Sequence, residues 1–104
     1  TAEMPAMLQD VFRIVQGLIK TADGTKLLSA QMSGTTATIV VHDHVAKKIT
    51  VAHVADSSCV LGKGDRQGLE GIQLTRDHKP NLKDERARIE QSGGRVVFDG
   101  YANH

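Results

Sequence analysis

Residues 33–61, SGTTATIVVHDHVAKKITVAHVADSSCVL, decide the fold of this chain. Their β-branched and apolar runs alternate with short polar segments, which predicts three successive strands over residues 35–42, 48–55 and 57–61. The first two are joined by a turn at residues 43–47 and are long enough to pair as an antiparallel hairpin. The first strand shows little polar alternation, so we expect both of its faces to be covered.

The residue of this stretch that stands out for chemistry is Asp56, which lies between two apolar, β-rich runs. An unpaired buried carboxylate is costly, so this side chain must be solvated, hydrogen-bonded or bound to a cation. The alternative is that Asp56 and Ser57 form a turn between strands, because both side chains bond readily to nearby backbone groups. Composition alone favours the turn.

An amphipathic helix is predicted over residues 2–22, upstream of the strands. Its apolar residues recur every three or four positions, and Pro5 is acceptable only because it falls near the first turn. Asp23 and Gly24 form a plausible stop, since glycine readily takes the left-handed conformation beyond a last helical turn. A Met and Leu stripe of this kind is typical of a core-facing helix.

Downstream of the strands, residues 62–68 form a polar, glycine-rich segment that is typical of a hairpin loop. It lacks the Gly-Lys-Ser/Thr ending of a phosphate-binding loop and precedes no predicted helix. Residues 69–75 then predict a fourth strand, and residues 95–98 begin a further one.

A second helix is predicted over residues 82–92, between those two strands. Asn81 is placed to cap it, and the glycines at 93–94 end it. Asp84 lies near the positive end of the helix and is spaced to pair with Arg88 at i,i+4.

Composition indicates a single small domain. The chain has 104 residues, with 13 Lys and Arg against 12 Asp and Glu, so its bulk charge predicts neither a nucleic-acid nor a membrane partner. The longest apolar runs are far shorter than the ~20 residues of a membrane helix, and no secretory signal is visible. The one cysteine, Cys59, excludes an intrachain disulfide and predicts an intracellular location, in the cytoplasm or nucleus. Cys59 itself fits a small core residue.

Two groups of polar residues invite a chemical interpretation. His42, His44 and His53 suggest metal binding, yet the first two straddle a predicted turn and no Cys or Glu spacing completes a site. They are therefore interpreted as turn and edge residues. Asp77 and His78 resemble a base and its orienter, but sequence neighbours seldom meet in that way, and solvated loop residues are favoured.

Four motifs, in order along residues 33–97, resemble the central part of a metal-dependent serine/threonine protein phosphatase of type 2C. They are SGTTA at residues 33–37, VAHVADS at 51–57, LTRDHKP at 74–80, and ERARI at 85–89 with GGRV at 93–96. Their common order makes the resemblance specific.

The resemblance implies an α+β fold, in which the chain is part of an α-β-β-α sandwich of antiparallel sheets flanked by helices. Residues 1–104 would then be an interior segment of a single phosphatase catalytic domain, with the remainder of that domain as its partner. It also implies two Mn²⁺ or Mg²⁺ ions in the complete domain and a phosphoprotein substrate. The aspartate of the family's Gly-Asp-Ser-Arg motif falls on Asp56, which makes Asp56 a candidate residue for an additional, weaker metal site.

This chain departs from the family pattern in two ways. The motif's glycine is Ala55 here and its arginine is Ser58. The family's main metal ligands, in an early Asp-Gly-His-Gly motif and late Asp-Gly and Asp-Asn segments, are missing, as is the phosphate-binding arginine. We therefore assign no catalytic residue to this segment and expect it to be inactive alone. The alternative is a non-catalytic pseudophosphatase or scaffold module.

Overall fold

A computed structural model of the chain describes residues 3–98 and residue 100. It confirms the predicted α+β class, because in the described residues the helices accompany two antiparallel sheets of two strands each. The chain divides into two compact units, residues 1–53 and 54–104. The elements in chain order are α1 (Met4–Gly24), β1 (Ala37–Asp43), β2 (Lys48–Val54), β3 (Val60–Asp65), β4 (Gly68–Gln73) and α2 (Lys83–Gln91).

Helix α1 confirms the amphipathic prediction and places Pro5 in its first turn, where a missing N–H costs nothing. Ala2, the predicted start, lies outside the described residues. Leu8 is the only buried hydrophobic side chain in the described part of the chain. Ile14 and Leu18, on the same helix, are 62% and 64% exposed. The apolar stripe of α1 is therefore largely uncovered by the residues that the structure describes.

The β1–β2 hairpin forms where the sequence predicts it. Its turn is stabilised by Asp43, whose Oδ1 accepts hydrogen bonds from the main-chain N–H groups of Val45 and Ala46 at 3.0 Å each. These bonds hold the pKa of Asp43 below its usual value, and the bond from Ala46 has the larger effect. Residues along β1 alternate between half-buried and exposed, and Val40 is 52% exposed. The expectation that both faces of β1 are covered is wrong for the described chain, because β-branched composition reports strand propensity and not burial.

The β3–β4 hairpin corrects two predictions. Strand β3 starts at Val60 and not at residue 57, and it continues through the glycine-rich segment to Asp65. The predicted loop at 62–68 shrinks to a turn at Arg66 and Gln67, with Asp65 opposite Gly68. Asp65 Oδ1 accepts a hydrogen bond from the main-chain N–H of Gln67 at 2.9 Å, which stabilises the turn.

A glycine at position 64 allows the two strands of this hairpin to approach each other closely. Gly64 has a φ of +136°, and a Cβ atom there would lie 2.1 Å from the main-chain oxygen of Gly68. Only a residue without a side chain fits this close approach of the two strands. The glycines that indicated a loop therefore belong to the strands.

Helix α2 begins one residue later than predicted, with Leu82 and not Asn81 at its N-cap and without a side-chain cap. Its C-terminal end is as expected: Gly93 has a φ of +90°, and the N–H of Gly94 bonds the main-chain oxygen of Ile89 at 3.0 Å. The predicted strand at 95–98 is wrong within the described residues, where only Phe98 forms an isolated bridge. Neither helix in the described part of the chain is long and apolar enough to cross a membrane.

Candidate functional site

The candidate site is a sharp turn at Ala55 and Asp56, directly after β2. Ala55 has a φ of +77°, one of three non-glycine residues with positive φ in the described part of the chain. An L-residue in this left-handed region crowds its Cβ against the following carbonyl, which costs about 1–2 kcal/mol. The backbone at this position therefore favours glycine, although the sequence places alanine there.

Two hydrogen bonds to a segment 23 residues away hold the turn. The main-chain N–H of Ala55 donates to Nδ1 of His78 at 3.2 Å. The main-chain N–H of His78 donates in return to the main-chain oxygen of Ala55 at 3.0 Å. Both polar main-chain groups of Ala55 are thus bonded to one residue. We call this pair of bonds the Ala55–His78 clamp.

Asp56 forms an ion pair with the residue that follows the clamp. Its Oδ2 lies 3.2 Å from Nζ of Lys79, and the two side chains are 51% and 50% exposed. An ion pair this open to water contributes about 0–1 kcal/mol. Asp56 therefore lies in a turn, as composition favours, but its charge is balanced by Lys79, which is 23 residues away in the sequence.

The base of the site is held by Thr75 and Cys59. The hydroxyl of Thr75 is buried with its residue and accepts a hydrogen bond from the main-chain N–H of Cys59 at 3.0 Å. The N–H of Leu74 bonds the main-chain oxygen of Cys59 at 2.8 Å, which extends the β3–β4 pairing toward the turn. Cys59 is half-buried and carries a free thiol.

The segment that bears the clamp is also tied to α2. Arg76 forms a two-bonded ion pair with Asp84, the residue predicted to pair with Arg88. This contact lowers the pKa of Asp84 and raises that of Arg76. Arg88 instead bonds Glu85, with 3.1 Å between Nε and Oε2, and this hydrogen bond holds the pKa of Glu85 below its usual value.

Asp77 and His78 are not simple solvated loop residues. Asp77 is partly buried, and its Oδ1 is buried without a hydrogen-bond partner in the described part of the chain. His78 is exposed, as predicted, but its ring bonds the site turn. Sequence reasoning therefore missed His78 and Lys79 as site residues. Their only signal was their place in the LTRDHKP motif.

The described residues do not by themselves fit a metal ion. No group of three or more His, Cys, Asp or Glu side chains in residues 3–98 is arranged to hold one. His42 and His44 lie with ring centroids 4.0 Å apart, yet they belong to no such group. Divalent cations such as Mg²⁺ require several oxygen ligands. Asp56 offers one exposed carboxylate, and every further ligand would have to come from elsewhere in the protein.

Comparison with known proteins shows the family of this chain. The family model described as "Protein phosphatase 2C" matches residues 5–103. The chain therefore belongs to the protein phosphatase 2C family, and the resemblance inferred from its four motifs is confirmed.

Two of the similar proteins are from plants. A "Probable protein phosphatase 2C 75" of Arabidopsis thaliana is 50% identical over 74 residues, which cover 68% of this chain and 16% of the relative. A "Probable protein phosphatase 2C 59" of Oryza sativa subsp. japonica is 38% identical over 85 residues, 77% of this chain and 24% of the relative. The chain thus spans about a quarter or less of the length of these two relatives. No solved structure matches it significantly.

Proposed function

We propose that this chain is an interior part of the catalytic domain of a metal-dependent phosphatase that hydrolyses phosphoserine and phosphothreonine in proteins. The observation that carries the proposal is the family match over residues 5–103, nearly the whole chain. In this interpretation the two hairpins are strands of the family's sandwich of antiparallel sheets. The single cysteine supports an intracellular location for the protein.

Mn²⁺ or Mg²⁺ bound in the complete domain would supply an activated water for attack on the phosphoester. Asp56 is the residue of this chain that we assign to metal binding, as one carboxylate ligand of an additional ion. Its exposure and its position in a clamped turn support this role. Because Lys79 balances the same carboxylate, a metal ion at Asp56 would compete with the lysine ammonium.

We further propose that the 104 residues are inactive without the remainder of the catalytic domain, which is their principal partner. The uncovered apolar stripe of α1 supports this, since Ile14 and Leu18 have no described neighbour that buries them. The buried Oδ1 of Asp77 supports it as well, because an unpaired buried acceptor costs about 1–3 kcal/mol and a donor from the remaining domain would relieve that cost.

A non-catalytic pseudophosphatase or scaffold is the second candidate. The observation that favours it is the site turn itself, where Ala55 occupies a left-handed conformation and Ser58 replaces the motif's arginine. Alanine in this conformation destabilises the turn that carries Asp56. A protein that no longer depends on metal chemistry tolerates such a change.

The test is phosphopeptide hydrolysis by the full-length protein, with Mn²⁺ titrated and the variant Asp56→Asn compared with the unsubstituted protein. We expect turnover that depends on Mn²⁺, and a higher Mn²⁺ concentration for half-maximal rate in the variant. The matched control is Asp10→Asn, because Asp10 is also an exposed aspartate paired with a cation, Arg13 at 3.1 Å. The control should behave as the unsubstituted protein does.

Lys79→Met supplies the opposite perturbation. Removing the competing ammonium should lower the Mn²⁺ concentration required, provided that Asp56 binds the ion. If Asp56→Asn and Lys79→Met both require the same Mn²⁺ concentration as the unsubstituted protein, Asp56 is not a metal ligand. Absence of turnover in the folded, unsubstituted protein would favour the scaffold.

A further inference from the structure

We propose that His78 is a positioning residue for Asp56: its Nδ1 fixes the left-handed turn from which the Asp56 carboxylate projects. The inference rests on the proposed role of Asp56 in metal binding, but the clamp is a property of the turn that is tested separately. His78 itself need not touch metal or substrate for this role.

The clamp differs from an ordinary strand pairing in one of its two acceptors. In an antiparallel bridge, the N–H and C=O of one residue bond the C=O and N–H of its partner. His78 offers Ala55 its own main-chain N–H at 3.0 Å, but it replaces the carbonyl with Nδ1 of its ring at 3.2 Å. His78 therefore bonds both polar main-chain groups of Ala55, and the main-chain carbonyl of His78 takes no part in the clamp.

The clamp sets the tautomer of the His78 ring. The N–H of Ala55 can only donate, so Nδ1 of His78 must carry its lone pair. The proton of the neutral imidazole is then on Nε2, and an imidazolium ring cannot form this bond because both of its nitrogens donate. The structure thus assigns the Nε2–H tautomer to His78.

The clamp is placed where the backbone needs support. A left-handed alanine persists only when its surroundings stabilise that conformation, and the two bonds from His78 do so. Asp56 is the next residue, so the direction of its carboxylate follows the turn. Lys79, the neighbour of His78, meets Asp56 Oδ2 at 3.2 Å. The adjacent residues His78 and Lys79 therefore hold the adjacent residues Ala55 and Asp56.

The test compares three substitutions of His78 in the full-length protein. In His78→Asn the amide oxygen takes a position close to that of Nδ1 and keeps an acceptor for Ala55. His78→Gln places its amide one bond further out, and His78→Leu has no acceptor. The first readout is hydrogen exchange at the Ala55 amide, and long-range ¹H–¹⁵N NMR of the unsubstituted protein reports the ring tautomer.

We expect the Ala55 amide to exchange about 2- to 12-fold faster in His78→Leu and His78→Gln, the loss of one ordinary hydrogen bond, and to be nearly unchanged in His78→Asn. The Mn²⁺ concentration for half-maximal turnover should rise in the first two variants and be retained in the third. Ala55→Gly removes the strain, so adding it to His78→Leu should restore most of the Mn²⁺ response.

Equal exchange in His78→Asn and His78→Leu, or a proton on Nδ1, would overturn the clamp. Faster exchange with an unchanged Mn²⁺ requirement would overturn the positioning role while leaving the clamp in place. If the unsubstituted protein has no turnover, Mn²⁺-induced NMR broadening at Asp56 replaces the activity readout. Broadening that His78→Leu leaves unaltered, or none at all, would then count against positioning.

Discussion

Replacing Ala55 by glycine should stabilise the protein, although glycine substitutions normally do the reverse. With a φ of +77°, Ala55 bears a steric cost of about 1–2 kcal/mol that glycine does not. Glycine in turn loses about 0.5–1 kcal/mol more than alanine on folding, because its unfolded chain is freer. The difference leaves a net gain of up to about 1.5 kcal/mol for Ala55→Gly, and about 0.75 kcal/mol at the centre of the two ranges.

The assay is thermal unfolding of the full-length protein, followed by circular dichroism. A gain of 1 kcal/mol raises Tm by about 2–4 °C in a domain of roughly 150–250 residues, so the central value of the gain corresponds to a rise of about 1.5–3 °C. Hydrogen exchange at Asp56 should slow in parallel, since the turn opens less often. The two hydrogen bonds between Ala55 and His78 use only main-chain groups of Ala55 and are retained.

The matched control is Ala87→Gly, the same chemical change at an exposed position inside α2. Here alanine has its ordinary helical conformation, and glycine should cost about 1 kcal/mol. The two substitutions thus have opposite expected signs. A fall in Tm for Ala55→Gly that equals the fall for Ala87→Gly would refute the argument, because it would show that Ala55 is not held in the left-handed region.

Two further predictions concern the β3–β4 hairpin and helix α2. Gly64→Ala should cost at least about 1–3 kcal/mol of stability, because the new Cβ would lie 2.1 Å from the main-chain oxygen of Gly68. Gly62→Ala is the control and should be tolerated, because a Cβ there has nothing within 4 Å. Urea unfolding of both variants checks this prediction, and equal midpoints would contradict it. The hydrogen bond from Arg88 lowers the pKa of Glu85 from its ordinary value of 4.5. The stability that this bond gives the folded protein is therefore fully present above pH 4.5, and it is lost as the pH falls through the lower pKa of the folded state. The Tm difference between the unsubstituted protein and Glu85→Gln should therefore shrink on acidification below about pH 4.5, and a constant difference would show that Glu85 titrates normally.

Local patterns predicted the helices well. Helix α1 was expected over residues 2–22 and runs over Met4–Gly24, and α2 was expected over 82–92 and runs over Lys83–Gln91. Periodic apolar residues and the glycines that end α2 are local signals, so the sequence contains them directly. The stop predicted for α1 is wrong in detail, because Gly24 is its last residue and Lys26, with a φ of +63°, takes the left-handed conformation. The glycine-rich segment at 62–68 misled for the same reason. Its composition is that of a loop, while its strand structure depends on pairing with β4 and on the close approach at Gly64.

The site turn shows why the chemistry was harder to predict than the fold. Asp56 was predicted as a site residue from its place between apolar runs and from a family motif. No local pattern links it to His78 and Lys79, which lie 22 and 23 residues further along. Nor does alanine at position 55 indicate a left-handed conformation, because L-residues other than glycine seldom adopt it. Since the backbone at Ala55 favours glycine and is clamped at both of its polar groups, the substitution acts on the stability of the turn more than on its geometry. The departure from the family motif at this position is therefore compatible with an Asp56 carboxylate that is still correctly placed.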